Sequence, residues 1–469
     1  MIENLIGLLD INKDQNGGGN KIKKTKLSLY NMHNSVKLMK TLLIPLTNSN
    51  TVTVGIFIKA GSREEEKAYG IAHFLEHMTF KGTSNISSSD LMIKLDSIGA
   101  NYNAMTGHEF TLYYISGNPN DINLLIDIII DLYLNPTYPE IDIEKERNVV
   151  LEELRMNNDN NQRQLINKLY EIMFSNTKSS LETLSRPIIG YLDTIQKLNR
   201  DDILTFRKKN YNSSNCLLCV SGNFSRKDVI KTIEKNFDAK LSKMKIKSNL
   251  FQSNLHSTLD INSICAIKPN IQKYIHIEKD INQTIINFVF NSFDVYNKNN
   301  IAIDLICDIL SNGFSSRLFN LLRNKMGVSY YNNSSTREFN DIGQMFISVG
   351  VAHKSVLETI KEIINEIKKL KQYGITQKEL DKVKKQNETG LLFQFKDPFE
   401  YLMHFGMSYL IKKPLLNIST IMEQIEEIKL SDINDLCKNI FRPDNFIIGT
   451  IGNVSPELNN VIIQMINSI

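Results

Sequence analysis

The chain has 469 residues, 42% of them hydrophobic, and its 55 Lys and Arg against 51 Asp and Glu leave a formal net charge of +4. That length can build two or more domains with sizeable cores, and no apolar run approaches the roughly 18 residues a membrane-crossing helix needs, so no membrane partner is expected. Balanced charge gives no footing for a nucleic-acid partner, and five cysteines, an odd and sparse set, argue against a disulfide framework and for a reducing compartment.

Residues 1–27 hold Glu3, Asp10, Asp14, a short apolar stretch at Leu5-Ile6-Gly7-Leu8-Leu9 and the run Gly17-Gly18-Gly19, and no arginine precedes Arg63. This composition matches neither a secretory nor a mitochondrial presequence. It reads as a flexible extension, with the cytoplasm as the expected compartment and the mitochondrion as the alternative. Residues 51–60 read as an alternating apolar strand.

The pentapeptide His73-Phe74-Leu75-Glu76-His77 follows. On a helix, histidines four apart stack on one face, and two neutral imidazoles at that spacing can hold one Zn²⁺. Glu76 lies close enough to take a proton from a water that the metal activates. A lone histidine on an apolar face is more often a satisfied core residue; two with a glutamate between them favour metal. Catalytic zinc takes three protein ligands and keeps one position open, so one ligand is missing here.

Tyr102, Thr111, Tyr113 and Ile115 make residues 100–116 read as strand, turn and strand, the turn lying near Gly107-His108. A helical stretch at 121–134 is followed by Pro136 and Pro139 and then by the acidic helix 143–154. On that helix Glu146 and Glu153 are two turns apart and share a face, with Val149, Val150 and Leu154 as apolar positions near it. It is the natural source of the third ligand, the alternative being a solvated helix paired internally through Lys145 and Arg147. Glu152 sits about 100° round the helix from Glu153, so only one of the two can face a metal.

Cys216 and Cys219 form a CxxC within a short apolar strand, where their side chains point to opposite faces, and no second CxxC accompanies it; neither zinc nor redox chemistry is expected there. The chain joins its halves through a polar Lys/Ser-rich stretch and then repeats itself weakly. Aligning Ile143 with Thr376 sets Glu146 opposite Glu379 and Glu153 opposite Gln386, while the counterpart of the metal helix, 301–310, offers Asp304, Cys307 and Asp308 but no histidine. The expected architecture is α+β: two similar domains, each a mostly antiparallel sheet with helices on one face. The expected divisions are an extension at 1–27, a catalytic domain at 28–240, a linker at 241–265 and a non-catalytic domain at 266–469.

The inverted order HxxEH with a distant Glu153 resembles the inverzincin metallopeptidases, the pitrilysin and mitochondrial processing peptidase family. The likeness extends through Ala60-Gly61-Ser62-Arg63-Glu64, Gly70-Ile71-Ala72, Phe80-Lys81-Gly82-Thr83, and Asn103-Ala104-Met105-Thr106 followed by Glu109, Thr111 and Tyr113. It continues in Ser315-Ser316-Arg317-Leu318-Phe319 and in the run from Leu322 to Tyr330. The resemblance implies that His73, His77 and Glu153 ligate one zinc per chain and that Glu76 is the general base. Glu146 would support the site by orienting a ligand histidine without touching the metal. Arg323 and Tyr330 would reach from the second domain to the developing oxyanion. Asn103 and Ala104 would lie on an edge strand that pairs with a peptide or unfolded segment as an added strand, and the activity the resemblance implies is that of a zinc-dependent endopeptidase. Family members close a clamshell chamber from four such domains. This chain, closest to the shorter-chain processing-peptidase branch, would supply half and pair with itself or with a related subunit. The alternative is a non-catalytic scaffold subunit, which has no physical need to retain the ligands. An unrelated structural zinc site would want four Cys or His ligands.

Overall fold

The computed structural model describes residues 28–30, 39–177, 179–241 and 272–467. The extension at 1–27 and the linker at 241–265, apart from Leu241, lie outside the described residues. The rest forms two compact units, and neither is contiguous in sequence. One takes residues up to 154, those from 187 to the end of the N-terminal half, and 391–420; the other takes 155–186, the C-terminal half up to 390, and 421 onward. The sequence-based division at 240 and 266 therefore misses an exchange of segments between the halves.

The N-terminal half carries β1 (Ser28–Tyr30), β2 (Lys40–Pro45), β3 (Val52–Ile58), β4 (Asn101–Thr106), β5 (Thr111–Gly117) and β6 (Cys216–Gly222). Its helices are α1 (Ile71–Thr79), α2 (Ser88–Ser97), α3 (Ile122–Leu134), α4 (Glu140–Asp159), α5 (Asn161–Phe174), α6 (Leu192–Ile195), α7 (Arg200–Asn210) and α8 (Arg226–Leu241). The sheet runs β1-β2-β6-β3-β5-β4, antiparallel throughout except between β2 and β6. One face, through Val54 and Ile56 of β3 and Leu218 and Val220 of β6, packs on Phe74 and Leu75 of α1, Ile129 of α3, Val150 of α4 and Ile203 of α7.

The C-terminal half repeats the plan with β7 (Tyr274–Glu278), β8 (Thr284–Ser292), β9 (Ser329–Glu338), β10 (Gly343–Val351) and β11 (Phe446–Gly452). Its helices are α9 (Asn300–Ser311), α10 (Val356–Tyr373), α11 (Gln377–Gln394), α12 (Pro398–Leu410), α13 (Ile418–Glu427), α14 (Leu430–Ile440) and α15 (Leu458–Asn467). The order β7-β11-β8-β10-β9, with only β7 and β11 parallel, reproduces β2-β6-β3-β5-β4 strand for strand, so the weak sequence repeat is a repeat of topology.

Helices cover both faces of each sheet, not one. β3 and β6 are buried at every position, so β3 is not the half-exposed alternating strand its sequence suggested. A strand buried on both sides needs two layers of cover. In the first unit the second layer is α12, whose Tyr401, Leu402 and Phe405 pack on Leu42, Phe57, Leu112, Leu217 and Cys219. In the second unit it is α5, whose Leu165, Leu169, Tyr170 and Met173 pack on Ile275, Val289, Phe346 and Ile447. Each half of the sequence thus gives the other half's sheet its second helical layer. Cys216 and Cys219 fall in the two opposite layers, and burial pushes the Cys216 thiol up to about 12, as apolar packing requires.

Candidate metal centre

α1 begins after Gly70, whose φ of 92° only glycine adopts easily. The buried carboxylate of Glu65 accepts hydrogen bonds from the amides of Gly70 and Ala72, each at 2.9 Å, satisfying donors that a helix start leaves open. Ile71, Ala72, Phe74, Leu75 and Met78 turn into the core. His73, Glu76 and His77, at i, i+3 and i+4, share the remaining face.

α4 meets that face. Its buried arc runs through Ile143, Glu146, Val150 and Leu154, while Val149 falls on the far side of Glu146 and is exposed. Glu153 Oε2 lies 3.5 Å from His73 Nε2 and 3.4 Å from His77 Nε2. The three groups are the cluster of His, Cys, Asp and Glu among the described residues whose ligand atoms all lie within 4.8 Å of one another. Bond lengths of about 2.0–2.2 Å in a tetrahedral zinc site place ligand atoms about 3.3–3.5 Å apart, so the donor set and its spacing fit zinc. Glu152 is exposed and outside the cluster, and His108 is hydrogen-bonded through Nδ1 to Ser62 Oγ at 2.9 Å.

A carboxylate holds His77 from behind. Glu146 Oε1 lies 2.9 Å from His77 Nδ1, leaving Nε2 for the metal side, and Glu146 Oε2 lies 2.5 Å from Lys81 Nζ. The two imidazoles compete for charge, their ring centroids only 4.6 Å apart. Burial and then the neighbouring His77 push His73 down to about 4. Burial acts the same way on His77, but hydrogen bonds to Glu146 and Glu153 and the Glu76 carboxylate overcome it and raise His77 to about 9. Burial raises Glu76, and Thr106 Oγ1, donating to Glu76 Oε2 at 2.5 Å, opposes that rise.

Thr106 ends β4, which among the described residues is an edge strand. Asn103 and Ala104 lie on the same strand, the Asn103 side chain accepting the Ala104 amide at 2.8 Å. Arg323 belongs to the second unit, its guanidinium 5.4 Å from the centre of the Phe319 ring. Tyr330 lies in β9 of that unit, and its side chain lies outside the described residues. Glu65, Lys81 and Thr106 are site residues that the sequence reading gave no role, although two of them fall within family-like segments.

Among the described residues the second unit repeats the scaffold without a comparable cluster of candidate ligands. Thr336 Oγ1 donates to Asp304 Oδ1 at 2.7 Å, as Thr106 does to Glu76, and Glu379 faces the Arg317 guanidinium at 2.6 Å.

Residues 40–186 match the family described as Insulinase (Peptidase family M16), and residues 197–387 match the Peptidase M16 inactive domain. The chain is 31% identical over 400 residues to an "Uncharacterized zinc protease" of Rickettsia bellii, covering 84% of this chain and 90% of that protein. It is 27% identical over 419 residues to the "Uncharacterized zinc protease YmxG" of Bacillus subtilis, covering 88% and 96%. Among solved structures, a protease from Helicobacter pylori superposes with a TM-score of 0.78 at 22% identity, over 92% of this chain and all of that one, a likeness of fold. The HxxEH helix and Glu153 thus lie in the part matched by the insulinase family, its histidine-free counterpart α9 lies in the part matched by the inactive domain, and the chain belongs to peptidase family M16.

Proposed function

We propose that the chain is a zinc-dependent endopeptidase acting on peptides or unfolded segments that add as a strand to β4. The observation that carries this reading is the convergence of His73, His77 and Glu153 at ligand spacing with Glu76 beside them. Relatives named zinc proteases support the choice of metal.

Bound zinc supplies Lewis acidity, polarising the scissile carbonyl and the attacking water. The chain's own residues do the rest. Thr106 occupies Oε2 of Glu76, so Oε1 is the free acceptor for the water's proton, which Glu76 then returns to the leaving amine. Partial burial brings its pKa nearer neutrality, where a group can both take and give a proton. An edge strand offers backbone groups to any sequence, which suits a broad peptide substrate, with Asn103 and Ala104 as the residues alongside it. Arg323 and Tyr330 are proposed as donors to the oxyanion. A second chain, identical or related, is proposed to complete the chamber in a dimer. The cytoplasm is the proposed compartment; among the described residues no helix is long and apolar enough to cross a membrane.

The test is cleavage of a mixed peptide library by wild type and Glu76→Gln, with zinc measured in both. Zinc in both proteins and cleavage by wild type alone is the expected result. No zinc in wild type, or equal cutting by the variant, refutes the reading. Zinc in both with no cutting by either turns attention to a scaffold subunit or a missing partner, which gel filtration separates.

A further inference from the structure

Lys81 lies two residues beyond the end of α1, where its amide bonds back to the Met78 carbonyl. Its ammonium reaches Glu146, which is only 7% exposed and spends its two oxygens on two partners, Oε2 on Lys81 and Oε1 on His77 Nδ1. Ammonium, carboxylate and imidazole form one line that ends at a ligand nitrogen. We propose that Lys81 is a positioning residue for metal binding: it pins Glu146 so that this acid holds the His77 ring with Nε2 free for the metal and stays out of the coordination sphere itself.

This rests on the metallopeptidase reading and extends it by a residue with no role in the chemistry. The physical need is specific. Glu146 shares a helix face with Glu153, and an unrestrained carboxylate there is free to rotate towards a dication and take the position that water requires. A ligand imidazole is oriented by whatever its other nitrogen bonds, so freedom in Glu146 becomes freedom in His77. Charge alone predicts the reverse effect. An ammonium near the site repels a dication, so its removal should tighten zinc binding if electrostatics were all that mattered. The two accounts differ in sign. A purely architectural role is a further competitor, because Glu379 in the second unit is also held by a cation, Arg317, away from the one ligand cluster found among the described residues.

The experiment measures zinc dissociation constants by chelator competition, alongside melting of the metal-free proteins. The variants are Lys81→Met, Lys81→Arg, Glu146→Gln and the Lys81→Met/Glu146→Gln double variant. Lys81→Met should weaken zinc about tenfold, the lower end for losing an outer partner of a ligand. Lys81→Arg should restore affinity to near wild type. In the Glu146→Gln background Lys81→Met should change nothing further, because Lys81 acts through that residue. Unchanged or tighter zinc in Lys81→Met, an equal loss in Lys81→Arg, or an undiminished effect in the Glu146→Gln background overturns the proposal. Should Lys81→Met fail to fold, Lys81→Gln carries the same comparison. Failure of wild type to bind zinc would instead bring down the metallopeptidase reading itself.

Discussion

Gly406, in the middle of α12, sits against the ring of Phe57 on β3. A Cβ placed on it would lie 2.3 and 2.6 Å from two ring carbons of Phe57, where carbon contacts are comfortable at about 3.5–4.0 Å. Phe57 is fully buried, so the ring must move by more than an ångström within a packed layer. Overpacking of this kind costs about 1–3 kcal/mol, and a shift this large belongs at the upper end. Alanine in a helix interior recovers up to about 1 kcal/mol over glycine. Gly406→Ala should therefore destabilise the first unit by about 2 kcal/mol, the balance of overpacking against propensity. In a unit of this size that lowers its melting temperature by about 4–8 °C. Scanning calorimetry is the assay, since two units need not unfold as one. The companion variant Phe57→Leu opens a cavity in the wild type but relieves the clash in Gly406→Ala, so the pair should couple by about 1 kcal/mol or more. A melting temperature raised by Gly406→Ala, or a Phe57→Leu effect that is the same in both backgrounds, would refute the reasoning.

Glu64 gives a pH-dependent prediction. Burial pushes its carboxyl from 4.5 up to about 7, against the pull of the Gly61 amide at 2.7 Å. An acid whose folded pKa is raised stabilises the fold fully below the unfolded value, and that contribution is lost as pH rises towards the folded value. Glu64→Gln should match wild type near pH 4 and grow more stable relative to it through the interval from 4.5 to about 7, by up to about 3 kcal/mol. Parallel stability profiles across that interval would contradict this. In the second unit Arg317 makes two bonds to Glu379, at 2.6 and 2.9 Å, and one to Glu366 at 3.1 Å. Arg317→Met leaves two partly buried carboxylates facing each other and should cost about 2–3 kcal/mol, less than a fully buried pair because water reaches it. Denaturant titration checks the loss, which should shrink on further substitution of Glu379→Gln.

The candidate metal site was legible because most of it is local. His73, Glu76 and His77 occupy adjoining positions on one helix, and spacing alone places them together; Glu153 needed the two-turn rule together with family likeness. Lys81 and Thr106 were invisible for the opposite reason. A lysine just past a helix or a threonine in a strand carries no mark of which distant carboxylate it will meet. Val149 was misplaced because a shared helix face has two flanks, and only contacts decide which is buried. The exchange of α5 and α12 was hidden for a related cause: amphipathic spacing says that a helix needs a surface but not which sheet supplies it. The sequence did hold a hint. Ile56, Phe57 and Ile58 are apolar on both parities, which already asks for cover on both sides of β3.

That exchange bears on how the two halves can evolve and be divided. Duplicated domains usually remain separable, so that one can be lost, swapped or cut away. Here a break between α8 and β7 would leave an N-terminal fragment whose sheet lacks α12 and a C-terminal fragment whose sheet lacks α5. Neither fragment is a whole folding unit, yet each carries the helix the other needs, which is the requirement for fragment complementation. The half without the histidine cluster thus has a structural part to play whatever the chemistry: it completes the fold of the half that holds His73, His77 and Glu153.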